Sequence, residues 1–371
     1  MRMNSPSRLR ITSISLLCLA LGVAACGDDS DTDAAATTQP PTETTAASEA
    51  SATSDADAAL EELVAAAQAE GSVTIYSSQG LDQLNALGAA FEEEYGIPVE
   101  VVRGTDGDNT PRIETELATN TSGADLVVTA GQLFMEGHGE AGDWVDPTAS
   151  PQLAGLSDYD ADAYMHEGNF FEVGAAILTF AWNTNDVPEG LTDYPDLLDP
   201  ALAGGRIAVV DPAVAPVIVD FYLFLEENFG EDFITGLAAQ EPRIYPSALP
   251  IGEALTSGEV SAAAYAAPVQ LIPAAASGAP VDYGVSESGA WGARYFGAIP
   301  KSSDSPNAAA LLADFMVTAE GQEIVQGASG SVLADIPGTL ITNDRVRVTD
   351  LEATAPEAAA AFVEEWNSMF R

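Results

Sequence analysis

Between Val73 and Thr129 strand-like and helix-like segments alternate, and that alternation leaves few folds open. "VTIYSS" (73–78) is a β-prone run that ends in hydroxyls. "LDQLNALGAAFEEEYG" then repeats apolar residues at Leu81, Leu84, Gly88, Phe91 and Tyr95, the three-and-four spacing of a packed helix. Strands are expected at 73–76, 98–102 and 125–129, with helices at 80–95 and 110–119, the second opened by Thr110 as cap and Pro111 in its first turn. A βαβαβ series implies a parallel sheet with helices on both faces. An earlier helix precedes it, with Leu60, Leu63, Val64 and Ala67 on one face and Gly71 as its stop.

In such a sheet, ligands sit outside the carboxyl ends of the strands, where the strand order reverses. If the order is 2-1-3, the reversal falls between strands 73–76 and 125–129, whose ends carry Tyr76, Ser77, Ser78 and Thr129. Hydroxyls beside the free N–H groups of a helix start suit polar ligand atoms, although Ser77 or Ser78 also suits a plain helix cap. Arg103, just past a strand end, is a further candidate, and Arg294 too could meet a ligand carboxylate or phosphate, although an ion pair is the default for both.

The beginning of the chain obeys different rules. Arg2, Arg8 and Arg10 precede a short apolar run, "ITSISLLCLALGVAAC", too short to span a bilayer of roughly 20 residues. Residues 1–25 are expected to be a signal peptide, and Val23-Ala24-Ala25-Cys26-Gly27 resembles a bacterial lipobox, which makes Cys26 the lipidation site. The other cysteine, Cys18, lies in the removed segment, so neither a disulfide nor a cysteine metal site is expected. Residues 27–58 contain no aromatic residue and no Leu, Ile or Val, which predicts a disordered acidic tether over 26–58.

The chain holds 12 Lys and Arg against 57 Asp and Glu. The three early arginines precede every acid, so the exported part is more acidic still. Such a surface repels phosphate backbones and excludes nucleic acid as a partner.

A second αβ set follows residue 170. "FEVGAAILTFAWNTN" is a long strand-like run, "GGRIAVVDP" (204–212) a short buried one, and "APVIVDFYLFLEENFGEDFITGLAAQ" is helical. "SALPIGEALTSGEVSAAAYAA" reads as helix, glycine stop and strand. Residues 306–326 read as two short helices, the second capped at Thr318.

Catalytic and cofactor signatures fail on context. "GHGEAG" (137–142) has the letters of a dinucleotide motif, but no helix can follow it through Asp146-Pro147. Pro300 before Lys301 excludes a phosphate loop. "TDGDNTPRIETEL" has Pro111 and Leu117 where a calcium loop needs glycine and a carboxylate. With no nucleophile, base and orienting group together, the chain is not expected to be an enzyme, and no cofactor or metal is expected.

In order along the chain, "LVAAAQAEGSVTIYSS", "FEEEYGIPVEVVRG", "ADLVVTA", "GGRIAVVDP", "GEDFITGLAAQEPRI", "GEALTSGEV" and "IPKSSDSPNAAALLADFMVTAEGQEIV" resemble extracellular solute-binding proteins of ABC importers, of the type II periplasmic-binding fold. The similar branch includes ferric-iron, phosphonate and sugar-phosphate binders. The resemblance implies an α/β fold of two lobes, each a doubly wound and mostly parallel sheet, joined by two hinge crossings. It places lobe 1 at 59–175, lobe 2 at 176–289, the return crossing and the rest of lobe 1 at 290–345, and a C-terminal helical tail at 346–371. Second-lobe ligand candidates are Asp211 and Tyr265, with Trp182 and Trp291 near the crossings. Ferric relatives use an adjacent Tyr-Tyr pair where this chain has "AAAYAAPVQL", and none of its ten tyrosines are adjacent. The expectation is therefore a monomeric, membrane-anchored receptor outside the cytoplasm, handing a small polar organic solute to ABC permease subunits. Ferric iron is the alternative ligand.

Overall fold

The computed structural model describes residues 44–371. The signal segment and Cys26 therefore lie outside the described residues. The chain divides into Met1–Thr45 and Ala46–Arg371, and the elements from β1 onward belong to the second unit.

Helix α1 (Thr44–Glu70) starts inside the stretch expected to be an extended tether. Its sequence is rich in Ala and Glu, strong helix formers, and that propensity carries the helix upstream of its anchoring face. Leu63 and Ala67 of that face are buried in the first lobe, with Leu60 and Val64 packed against them.

The first lobe follows the expected alternation: β1 (Val73–Ser77), α2 (Leu81–Tyr95), β2 (Val99–Arg103), α3 (Asp106–Thr119), β3 (Leu126–Thr129) and α4 (Gln132–Ala141). The α3 start differs from the expectation. Thr105 accepts from the Asp108 N–H while Asp108 reaches back to the Thr105 N–H, a capping box one turn before Thr110. Pro111 then lies inside the helix instead of opening it. "GHGEAG" falls at the end of α4, whose cap Gly142 adopts φ +73°.

Short elements β4 (Trp144–Val145), α5 (Ala161–Tyr164) and β5 (Met165–His166) lead into the long strand β6 (Phe170–Asn183). The second lobe repeats the pattern with β7 (Ile207–Val210), α6 (Pro216–Phe229), α7 (Glu231–Ala239), β8 (Arg243–Tyr245), α8 (Ala248–Ser257), β9 (Ala262–Ala266), α9 (Pro268–Ala276) and β10 (Val281–Gly284). Strand β11 (Trp291–Pro300) returns to lobe 1, where α10 (Pro306–Met316), α11 (Ala319–Val325), β12 (Gly330–Ser331) and β13 (Ile341–Thr342) follow. Thr318 caps α11 as expected, accepting from the Gly321 N–H at 3.2 Å.

One hydrogen-bonded path runs β2-β1-β3-β11-β6-β9-β7-β8. β1 is parallel to β2 and β3, and β7 is parallel to β8 and β9. Both lobes thus have three parallel strands with the one that comes first in the chain in the middle, the order that creates a reversal point. β11 and β6 run antiparallel to each other and join the two sets.

The crossing pair carries a bulge. Tyr295 pairs with Gly174 and Phe296 with Glu172, which leaves Val173 without a partner. Gly174 has φ +136°, and a Cβ there would fall 2.3 Å from the Gln326 side chain, so only glycine fits.

The tail holds a feature that the sequence reading missed. After β13, residues 345–347 run beside Ala290 at the start of β11, and helix α12 (Pro356–Phe370) packs on the second lobe. Trp366 is fully buried in that lobe's core, stacked on Phe370 at 4.3 Å. The chain therefore passes between the lobes three times, not twice.

Candidate functional site

A cavity of about 400 Å³ lies where the two lobes, the crossing strands and the tail meet. Lobe 1 contributes Asp106 from the start of α3 and Ala130-Gly131-Gln132-Leu133 from the β3–α4 turn. Lobe 2 contributes Pro216 and Val217 at the start of α6. Ala293, Arg294 and Phe296 come from β11, and Thr349, Leu351 and Thr354 from the tail. The cavity thus faces the carboxyl ends of β2, β3 and β7, the side of a doubly wound sheet that binds ligands. Its volume falls in the small-molecule range.

A larger cavity, about 720 Å³, opens on lobe 2 between residues 186–191 and 195–206. It borders Arg206, next to the amino end of β7, the opposite end from the reversal point. The inter-lobe cavity is therefore the candidate site.

Thr129 organises the first-lobe wall. Its hydroxyl donates to Asp106 Oδ1 at 2.6 Å and accepts from the Gly131 N–H at 3.1 Å, which ties the starts of α3 and α4 together. Phe296 is the residue paired with Thr129 across β3 and β11, so both side chains stand on one face.

Arg294 is neutralised where it stands. Its Nη1 meets both oxygens of Glu172, at 2.9 and 3.1 Å, and its Nη2 donates to the Val346 carbonyl. Glu172 is 2% exposed and is also held by Asn343 and by His166 Nε2 at 3.2 Å. A second buried carboxylate, Asp220 on α6, is fully enclosed. It accepts from Arg347 Nε at 2.9 Å, the Asp350 N–H at 3.0 Å and Trp291 Nε1 at 2.9 Å. Glu172 and Asp220 together fasten the tail to the crossing and to lobe 2, which sets Thr349, Leu351 and Thr354 against the cavity.

Among the residues that the sequence suggested for ligand contact, Arg294 lines the cavity and Thr129 stands beside it, bonded to the lining residues Asp106 and Gly131. Tyr76 is buried below the reversal point, where its hydroxyl donates to Glu116 at 3.0 Å and Arg112 covers its ring. Burial, then the Glu116 contact, pushes its pKa up to about 12. Ser77 is fully buried, and its Oγ accepts from the Gln79 N–H at 3.1 Å, a local turn bond. Ser78 Oγ is enclosed without a hydrogen-bond partner. Neither serine caps α2 through its side chain. Arg103 is exposed and donates to the Gln79 carbonyl at 3.3 Å.

In lobe 2 the tail and the core engage the candidates. Asp211 pairs with Arg371 through one oxygen, and its other oxygen accepts from the Ala213 N–H at 2.9 Å, a local turn bond. Tyr265 packs on Phe221 and Trp291, and burial pushes its hydroxyl well above the usual range. Trp291 donates to Asp220, and Trp182 stacks near Phe180 in the lobe core. These four sit in packing, hydrogen bonds and ion pairs, apart from the lining of the inter-lobe cavity.

Asp106, Gln132, Phe296, Val217 and Leu351 were missed. The capping box "TDGD" carried the only local signal for Asp106. Nothing local marks Leu351, because the contacts that place it are long-range.

The family model for bacterial extracellular solute-binding proteins matches residues 73–328. No curated protein matches this sequence. Among solved structures, an extracellular solute-binding protein from Bordetella parapertussis is similar at 18% identity and TM-score 0.65, covering 82% of this chain and 100% of that one. Iron-bound HitA from Pseudomonas aeruginosa is similar at 21% identity and TM-score 0.58, covering 80% and 99%. The periplasmic binding protein AfuA from Actinobacillus pleuropneumoniae, with fructose-6-phosphate bound, is similar at 21% identity and TM-score 0.55, covering 81% and 98%.

Proposed function

The chain belongs to the bacterial extracellular solute-binding protein family, and we propose that it is the lipid-anchored receptor of an ABC importer, holding a small polar organic solute between its lobes. The observation that carries this reading is the inter-lobe cavity, into which the carboxyl ends of β3 and β7 both open. Ligand contact with both lobes favours the closed form, which a permease then reads. Native mass spectrometry of gently purified protein tests it. A co-purified molecule of small-solute mass, released on denaturation, is the expected result, and uniformly empty protein that binds nothing from a solute panel would sink the reading.

Anchoring rests on the lipobox at Cys26. Cys26→Ser expressed in a bacterial host should shift the protein from the membrane to the soluble fraction. Undiminished membrane retention would count against the anchor.

Ferric iron is the weaker reading. A phenolate cage needs ionised tyrosines that converge. Tyr76 is raised to about 12 and occupied by Glu116, while Tyr265 lies in the core of the other lobe.

A further inference from the structure

We infer that the cavity selects a small organic cation, an amine whose nitrogen is held by Asp106 and Phe296; this rests on the receptor reading above and narrows it. The cavity lining contains two charged residues, Asp106 and Arg294. Arg294 is balanced by Glu172, both of whose oxygens meet its Nη1. Asp106 makes no ion pair among the described residues. Thr129 takes one of its oxygens at 2.6 Å and fixes the carboxylate plane, which leaves the second oxygen to a ligand.

Phe296, which pairs with Thr129 across the strands and packs edge-to-face with Phe170 and His166, lines the same cavity as the Asp106 carboxylate. That combination suits an ammonium group: a charge-assisted hydrogen bond on one side and the ring's negative face on the other. Leu133, Val217 and Leu351 supply apolar surface for the rest of the molecule. The starts of α4 and α6 also face the cavity and favour an electron-rich ligand atom. A full anion would nonetheless meet the Asp106 charge, inside a chain whose net charge is −45. That field draws cations towards the cleft and repels anions.

The test is calorimetric titration of the full chain with putrescine, choline and L-lysine, alongside fructose 6-phosphate, at two salt concentrations. At least one amine should bind, with affinity falling as salt rises. Asp106→Asn should weaken that binding about tenfold or more. Thr129→Val, which leaves the carboxylate in place but unoriented, should weaken it by a smaller factor, and unfolding midpoints of both variants check that they fold. Amine binding unchanged in Asp106→Asn overturns the inference, as does silence of all three amines. If the amines are silent while fructose 6-phosphate binds, or a non-amine co-purifies, the ligand class fails and the receptor reading stands.

Discussion

Asp314 on α10 takes a carboxylate into the core of the first lobe, where Oδ1 accepts from Ser150 Oγ at 2.7 Å and from the Gln152 N–H at 2.9 Å. Burial raises its pKa above the usual value, against the lowering effect of those two bonds. A raised carboxyl pKa means that the folded state holds its proton longer than the unfolded chain does. The cost of the buried charge is absent below the ordinary Asp pKa of about 3.9 and appears as the pH climbs through the folded value. Asn keeps an oxygen acceptor and carries no charge, so Asp314→Asn should raise the unfolding midpoint at pH 7, and the gain should vanish towards pH 3. A midpoint lowered at every pH would contradict this. The two serines at and just past the end of β1 differ from each other. Ser77→Ala loses the bond from the Gln79 N–H and should cost about 0.5–1.5 kcal/mol. Ser78→Ala removes an enclosed hydroxyl that has no partner and should leave stability nearly unchanged in chemical denaturation. Both were legible as special positions, because three hydroxyls at a strand end are conspicuous. Their separate roles were not, since they depend on which way each side chain turns.

At the scale of elements, the alternation from β1 to β3 was legible because period and capping are local signals. The tail was not. Arg347 and Asp220 are 127 residues apart, and no local pattern announces that an arginine after β13 will meet a carboxylate on α6. The same distance explains why Leu351 was not among the residues suggested by the sequence, whereas Thr129 could be named from its place at a strand end. Arg347→Met should be costly, by about 3–5 kcal/mol, because it leaves Asp220 charged and enclosed without its cation. Combining it with Asp220→Asn should recover part of that loss. If the single variant melted like the parent, the tail would not be pinned as described. Limited proteolysis gives a second readout, since loosening this contact should expose residues 345–355 to cleavage first.

For the whole molecule, three passages between the lobes change what can move. Two strands with a bulge at Val173 can flex, but the tail is fastened to lobe 2 by Asp220 and Trp366, so residues 346–370 travel with that lobe. Closure then brings Leu351 and Val217 together towards the Gln132–Leu133 turn. Small-angle scattering at saturating ligand should show a smaller radius of gyration than the empty protein, and an unchanged radius would rule out closure of the lobes.

The shared sheet has a further consequence, in the order of assembly. β3 must wait for β11, which lies beyond the entire second lobe in the chain, before its outer edge is covered. Lobe 2, by contrast, needs only residues that follow one another from β6 to β10 for its own strand pairings. As the polypeptide emerges from its amino end, the sheet begun first is thus the sheet completed last. Throughout that interval the β2-β1-β3 sheet presents an unpaired strand, and an unpaired strand is where a neighbouring chain can add itself.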